Sequence, residues 1–293
     1  MSLLFVLTAC NIKDDLDDCP GGDTRIHVYV EKFQHEDGKG IPENSEAKFN
    51  TRIDVVNFYL YKGGDIVDQG TLDAAGITTQ THTFDFPELS YGDYTLVLLG
   101  NTEGNMPTRS IPDMDLVYPG YAATHDYFRD SFEFTVKDRE DHAYVTQLKR
   151  VQGVVRFTFL NLPAYITGID VSLDELSSHS HRDGSYTDEY TLNRFLPHDD
   201  LERDESNTFS FSVMAYPTLK GELGSWRVKL YRNGSAEPYY DQIVLTDLRL
   251  LRNQLLDLVM DFGQGAGPQD FNFYIDLNTR WDGWHEVGGP VIN

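Results

Sequence analysis

The sequence predicts an all-β protein in which two antiparallel β-sandwich domains follow a short N-terminal tether. Tyr and Phe occur 17 times each, and strands favour aromatic residues. Short runs of alternating apolar and polar residues recur between turn residues, and no segment keeps the period of an amphipathic helix. The length of 293 residues exceeds that of most single sandwiches and fits two domains of about 130 residues each.

The first domain is predicted over residues 24–148. Its first strand alternates Ile26, Val28 and Val30 with more polar residues, as expected when one face of a sheet is buried. A glycine-containing turn at 62–65 separates two apolar runs and predicts a hairpin. Three prolines and little periodicity predict a long loop at 104–124. The predicted strands are residues 24–33, 53–61, 66–72, 81–86 and 131–136, and a glycine turn leads into a Tyr-x-Leu-x-Leu segment within residues 89–101.

The second domain is predicted over residues 149–293, with its first strand in the apolar stretch 148–160. Asn233-Gly234 lies between two apolar runs and is the strongest hairpin signal in the chain, since both residue types accept positive φ angles. A glycine-rich segment, 263–268, separates these strands from the C-terminal part. The other predicted strands are residues 169–173, 186–192, 208–216, 226–231, 239–245 and 255–262.

An isolated strand pattern follows at 271–277. Its alternating apolar positions are Phe271, Phe273, Ile275 and Leu277. Burying four such side chains is worth about 6–12 kcal/mol before opposing terms, so the segment must find a groove in its own domain or in another chain. We predict that, of all the strands, this one is the most closely involved in assembly with a partner chain. An ordinary edge strand of its own domain is the alternative.

The chain carries 47 acidic and 24 basic side chains, a formal net charge of −23. Such a body is repelled by phosphate backbones and by anionic lipid surfaces. We therefore expect no nucleic-acid partner, and any membrane attachment must come from a separate anchor. No apolar run approaches the ~18 residues of a membrane-spanning helix. Both cysteines, Cys10 and Cys19, lie near the start, so disulfides cannot stabilise the domains.

An apolar run in the first ten residues ends with Leu7, Thr8, Ala9 and Cys10. This ending resembles the lipobox of bacterial lipoproteins. The resemblance implies that residues 1–9 are a signal segment and that the Cys10 sulfur receives diacylglycerol. No Lys or Arg precedes the apolar run, which is where the sequence departs from a usual signal peptide. A chance apolar terminus with a free cysteine is the alternative.

Residues 10–23 are predicted to be a lipidated, acidic tether. Its charged residues resemble the surface-export signal of Bacteroidetes lipoproteins, and a solvated linker is the alternative. These residues are Lys13, Asp14, Asp15, Asp17 and Asp18. Two or three acyl chains would make release from a membrane negligible, at about 0.8 kcal/mol per buried methylene. Cys19 is expected to be an exposed inert thiol, with a disulfide to another protein as the alternative.

Three stretches together resemble the FimB-like fimbrial anchor lipoproteins of Bacteroidales. They are the Cys10-to-Pro20 element with its second Cys-Pro, the Tyr-Gly-Asp-Tyr-Thr-Leu segment at 91–96, and the run at 151–163. The resemblance implies two transthyretin-like domains in an anchor or accessory subunit of a type V pilus. It further implies an outer-membrane, surface-exposed lipoprotein that tethers the fimbrial shaft subunit, limits fimbrial length and assembles by β-strand complementation.

No sequence motif of a nucleophile, a phosphate-binding loop or a zinc protease occurs, so we expect no enzyme, no small-molecule substrate and no cofactor. The best metal candidates are two histidines in a predicted polar loop and a group further on, and exposed loop histidines are the simpler interpretation. These residues are His179, His181, His198, Asp199 and Asp200.

A surface carbohydrate-binding lipoprotein that captures glycans is the alternative function, because it would share the anchor, the tether and the sandwiches. In that case Trp281 and Trp284 would form a stacking platform. Tryptophans next to a terminal strand belong more often to a core or an interface. A surface hydrolase is a third class, and the chain offers no motif for it.

Overall fold

The computed structural model describes residues 21–31, 49–51, 53–102, 116–117, 126–201, 204–263 and 271–276. The all-β prediction is confirmed, because strands and short 3-10 turns make up the regular structure of these ranges. No helix among them has the length and hydropathy needed to cross a bilayer. The strands form two sandwiches that follow each other along the chain.

The first sandwich is built from one sheet in the order β3-β2-β5-β7-β8-β1-β4. Only two residue pairs join β7 to β8, so the sheet divides there into two layers. Ile26 and Val28 from one layer meet Leu96 and Leu98 from the other in the core. The strands are β1 (Thr24–Val30), β2 (Val55–Lys62), β3 (Asp65–Asp73), β4 (Thr81–Phe86), β5 (Gly92–Gly100), β7 (Phe128–Val136) and β8 (His142–Arg150), and β6 (Leu116–Val117) belongs to the second sandwich.

The second sandwich packs a sheet of order β11-β10-β13-β14, with β6 added beside β10, on a sheet of order β12-β9-β15-β16. Trp226 lies at its centre, fully buried, with ring centroids 5.8 Å from Phe157 and 6.3 Å from Phe159. The strands are β9 (Gly153–Leu160), β10 (Ile166–Ser180), β11 (Tyr186–Pro197), β12 (Phe209–Ala215), β13 (Gly224–Arg232), β14 (Tyr240–Leu248), β15 (Leu255–Asp261) and β16 (Asn272–Asp276).

Two pairings depart from a purely antiparallel arrangement. β1 lies parallel to β8, and β9 lies parallel to β15. In each case the strands are far apart in the sequence, so no tight turn fixes their direction. The pattern of alternation that predicted the strands carries no information on this point, because it reports which face is buried and not which way the neighbour runs.

The stretch 148–160, predicted as one strand, is two strands of different sandwiches: β8 ends at Arg150 and β9 begins at Gly153. Between them the side-chain oxygen of Gln152 accepts a hydrogen bond from the Tyr127 amide at 2.9 Å. A Cβ atom at Gly153 would lie 2.5 Å from the carbonyl oxygen of Leu251, so the close approach of the two segments requires glycine there.

The predicted loop at 104–124 also needs correction within its described part. Residues Leu116 and Val117 form β6, which pairs with Ser180 and His179 of β10. The predicted polar loop that contains His179 is likewise wrong, since β10 continues to Ser180. Both corrections have one cause: pairing with a strand from a distant part of the chain supplies backbone hydrogen bonds that local sequence does not reveal.

Candidate functional site

The strand β16 (Asn272–Asp276) comes last in its sheet of the second sandwich among the described residues. It pairs with β15 in antiparallel register, which places Phe273 opposite Met260 and Ile275 opposite Leu258. Both β15 residues are buried in the core. The strand therefore pairs with a strand of its own domain in this structure. Leu277, the last of the four predicted apolar positions, lies outside the described residues.

Phe271 fixes the start of this strand. Its side chain is 8% exposed, and its ring centroid lies 4.7 Å from that of Phe262 and 5.7 Å from that of Tyr240. Burial of such a ring is worth about 1.5–3 kcal/mol. Beyond this ring, five backbone pairs to β15 hold the strand. On its other side β16 has no strand partner among the described residues.

The first described residue, Gly21, lies at the end of the first sandwich that is farthest from the second domain. The Gly21 amide donates to the Leu89 carbonyl at 2.7 Å, and the His142 amide donates to the Asp23 carbonyl at 2.8 Å. From there β1 runs parallel to β8, whose last residue, Arg150, is at the junction between the sandwiches. Gly21 thus lies at the end of the body away from the second domain. The predicted lipobox, Cys10 and the acidic residues up to Asp18 lie outside the described residues.

A cluster of apolar and tyrosine side chains joins the two sandwiches; we call it the junction cluster. It combines the outer face of β2 and β5 with residues of the second domain. Tyr216 is fully buried in it, and burial raises the pKa of its hydroxyl above the ordinary value. Its buried members are Tyr59, Tyr61, Val97, Leu99, Tyr127, Val151 and Tyr216, with Ile66, Tyr186 and Tyr190 packed against them.

Charged side chains are buried beside this cluster. Arg150 is fully buried and forms an ion pair with Asp126, and it also donates to the side chain of Asn253 in the second domain. Its backbone amide donates to Glu31 at 3.0 Å, and Glu31 pairs with Arg252 at 2.6 Å. A charge removed from water is tolerated only when it is paired and hydrogen-bonded, so this network constrains the angle between the sandwiches.

The hairpin of β10 and β11 extends from the second sandwich over the first. At its tip the Ser180 carbonyl accepts a hydrogen bond from Arg129 of β7 at 2.9 Å, and Arg182 lies 3.4 Å from Glu133. In the opposite direction, the connection after β5 contributes β6 to the sheet of β10. Each domain therefore supplies backbone to the other, and the two sandwiches form one body.

The structure separates the candidate metal ligands. His179 lies 3.1 Å from Asp188 and His181 lies 2.6 Å from the Thr187 hydroxyl, both at the turn between β10 and β11. The 3-10 turn His198–Asp200 follows the far end of β11, where Pro197 pairs with Gly168. The described residues contain no group of three side chains that could hold a metal ion. Trp281 and Trp284 lie outside those residues.

Sequence reasoning did not find the junction. Arg150 stood in an apolar stretch and Tyr216 at the end of a predicted strand, with nothing to indicate that they meet. The one available signal was the charged pair Lys149-Arg150 directly before an apolar run, which does not fit the interior of a continuous strand.

Comparison with protein families decides the identity of the chain. The model of the fimbrillin-A associated anchor proteins Mfa1 and Mfa2 matches residues 16–287. The chain belongs to this family. The family consists of structural fimbrial anchors and is not a known enzyme family, and it implies a cell-surface, fimbria-associated location with a fimbrial anchor or adhesin-like role. The resemblance to fimbrial anchor proteins that the three sequence stretches indicated is thereby confirmed.

Solved structures share the fold at low sequence identity. The fimbrial anchor protein Mfa2 from Porphyromonas gingivalis is 10% identical, with a TM-score of 0.54 over 86% of this chain and 95% of that chain. A candidate adhesin from Bacteroides ovatus is 10% identical, with a TM-score of 0.61 over 90% of this chain and 96% of that one. A candidate polysaccharide-binding protein from Bacteroides thetaiotaomicron is 14% identical, with a TM-score of 0.57 over 82% and 92%. A comparison with curated protein sequences finds no match.

Proposed function

We propose that this protein is an outer-membrane lipoprotein that anchors a fimbria, a type V pilus, to the cell surface. In this proposal Cys10 carries the lipid, Leu7 to Ala9 form the lipobox, and the acidic tether directs the protein to the outer face of the membrane. The protein also takes part in fimbrial assembly and length control, through β-strand complementation with a shaft subunit at β16.

One observation supports this arrangement above the others. The described body starts at Gly21, at one end of the first sandwich, and its last described strand, β16, belongs to the second sandwich. A lipid on the tether and a partner strand at β16 would therefore act on different domains. The interlocked junction between the domains supplies the stiffness that an anchor under load requires.

Lipid attachment is tested by the two cysteines, which are nine residues apart and serve as a matched pair. We expect Cys10→Ser to abolish labelling with radioactive palmitate and to shift the protein from the membrane fraction to the soluble fraction, because only the Cys10 thiol would form the thioether. We expect Cys19→Ser to keep both the label and the membrane location. Equal labelling of the two variants would contradict the proposal.

Strand exchange is tested by locking β16 onto β15. Val259 and Tyr274 are register partners, and opposite positions in an antiparallel ladder fall within disulfide range. In a Cys19→Ser background, we expect the oxidised variant Val259→Cys/Tyr274→Cys to lose co-purifying fimbriae and to regain them after reduction. The physical reason is that a covalently held β16 cannot leave its groove for a shaft subunit.

A second cross-link controls for general effects of oxidation. Lys229 and Asp241 are register partners on β13 and β14, in the other sheet of the same sandwich. We expect Lys229→Cys/Asp241→Cys to retain fimbriae in both redox states. If the oxidised β15–β16 variant retains fimbriae as well as this control does, β16 stays in its groove during assembly and the exchange part of the proposal is wrong.

A further inference from the structure

A cleft of about 310 Å³ lies where the β10–β11 hairpin crosses the first sandwich. Pockets at domain junctions and of at least about 300 Å³ are the common sites for small ligands. Strands β7 and β8 supply one wall, and the hairpin turn with Tyr186 supplies the other. Its lining residues of interest are Arg129, Asp130, Lys149, Arg182, Asp183 and Tyr186.

The charge of this cleft is less negative than that of the whole protein. Five cationic side chains and three carboxylates line it, and two of the cations, Arg150 and Arg252, are paired with Asp126 and Glu31, whereas the whole chain has 24 basic and 47 acidic side chains. A cleft with low-dielectric walls concentrates the field of the charges that line it. An anion that the rest of this surface repels would thus bind more favourably in this cleft than elsewhere on the protein.

Two of these cations are at the accessible rim. Lys149 is exposed and is the register partner of Arg129, and no carboxylate of the described chain forms an ion pair with it. Arg182 keeps about a third of its side chain exposed and contacts Glu133 at 3.4 Å, a long and exchangeable pair. Both can therefore turn towards a ligand without breaking the buried network around Arg150.

The remaining lining suits hydroxyl groups. Asp183 is exposed, and its carboxylate accepts hydrogen bonds from the amide and hydroxyl of Ser185 at 2.8 and 2.6 Å, which lower its pKa. Asp130 is buried, and burial raises the pKa of its carboxyl although Thr146, Lys149 and Arg129 oppose this. The Tyr186 ring is held in place because its hydroxyl donates to the Val151 carbonyl at 2.7 Å.

We propose that this junction cleft binds a carboxylated monosaccharide, a hexuronate. The carboxylate would be held by Lys149 and Arg182 through charge-assisted hydrogen bonds, and the sugar hydroxyls by Asp130 and Asp183, one on each wall of the cleft. The Tyr186 ring offers an apolar surface beside them, and the volume accommodates one sugar ring. The inference does not depend on the lipid anchor or on strand exchange at β16.

The test is a calorimetric titration of the full chain with glucuronate, with glucose and sulfate as comparison ligands. We expect saturable binding of glucuronate that weakens as salt is raised, with no saturation by glucose and weaker binding of sulfate. Loss of one charge-assisted hydrogen bond should weaken glucuronate binding about tenfold in Lys149→Gln and in Arg182→Gln. Both side chains are outside the buried network, so these variants should keep the wild-type melting temperature.

Lys229→Gln is the matched control, because it removes a half-exposed cation of the second sandwich that pairs with Asp170 away from the cleft. Unchanged glucuronate affinity in this variant, with weakening in the other two, supports the proposal. Absence of saturable glucuronate binding overturns it, and so does equal weakening in all three variants. Equal affinity for glucose or for sulfate overturns the assignment to a hexuronate.

Discussion

Arg150→Ala is expected to destabilise the protein by about 3–5 kcal/mol, because it leaves the Asp126 carboxylate buried without its partner. Arg150 is fully buried and Asp126 is 8% exposed, so water cannot replace the lost guanidinium without opening the junction. The substitution also removes the hydrogen bond to Asn253 that spans the two sandwiches. The measurement is the free energy of unfolding in urea, followed by Tyr fluorescence.

Two further variants distinguish the effect on stability of losing a buried charge from that of losing an exposed one. Arg227 pairs with Asp241 on the sheet surface, and Arg227→Ala should change the stability far less than Arg150→Ala. In Arg150→Met/Asp126→Leu both charges are absent, and most of the lost stability should return because no unpaired charge stays buried. If the double variant is no more stable than Arg150→Ala, the loss comes from packing and the ionic explanation is wrong.

The same junction shows what the sequence could predict and what it could not. Strand β4 was predicted at its observed bounds, and the hairpin of β2 and β3 has its turn where Gly63 and Gly64 indicated it, because alternation and turn chemistry are local properties. The final strand was predicted from Phe271 onward, and it lies beside β15. The choice of β15 as its neighbour could not be predicted, since it depends on pairing across the fold.

Strand β8 was missed for a physical reason. Its burial alternates at every position but its hydrophobicity does not: one face carries the half-buried His142 and Tyr144 and the other the exposed Ala143 and Val145, so apolar residues occur on both faces. Its stability comes from seven parallel pairs with β1, which is more than 100 residues earlier in the sequence. Once β8 is assigned to the first sandwich, the charged end at Arg150 marks the change of domain.

The interlocked junction between the sandwiches also determines how a mechanical load passes from one domain to the other. Among the described residues, a load applied at the second sandwich reaches Gly21 through the junction cluster, the buried ion pairs, the backbone crossing at Val151 and Gln152, β6 and the β10–β11 hairpin. Because β6 and the β10–β11 hairpin connect the domains at separate points, the domains cannot swing about a single linker. This arrangement predicts that the two domains unfold together.

Trp226→Ala tests this coupling with a large perturbation. The side chain is fully buried between Phe157 and Phe159, and loss of such a residue costs about 3–5 kcal/mol through lost burial and a cavity. If the sandwiches behave as one body, scanning calorimetry should show a single transition in the wild type and a single transition at lower temperature in the variant. The first sandwich, although it lacks the substitution, should then melt with the second.

Phe195 supplies the matched control, because it is an aromatic residue of the same domain that is 53% exposed on the outer face of the sheet. Phe195→Ala removes little buried surface, and we expect its transition to stay near that of the wild type. Two separate transitions in Trp226→Ala, with one at the wild-type temperature, would show that the first sandwich is stable by itself. In that case the buried charges and tyrosines at the junction fix the relative orientation of the domains without coupling their stabilities. The stiffness proposed for the anchor would then depend only on the arrangement of the contacts between the domains.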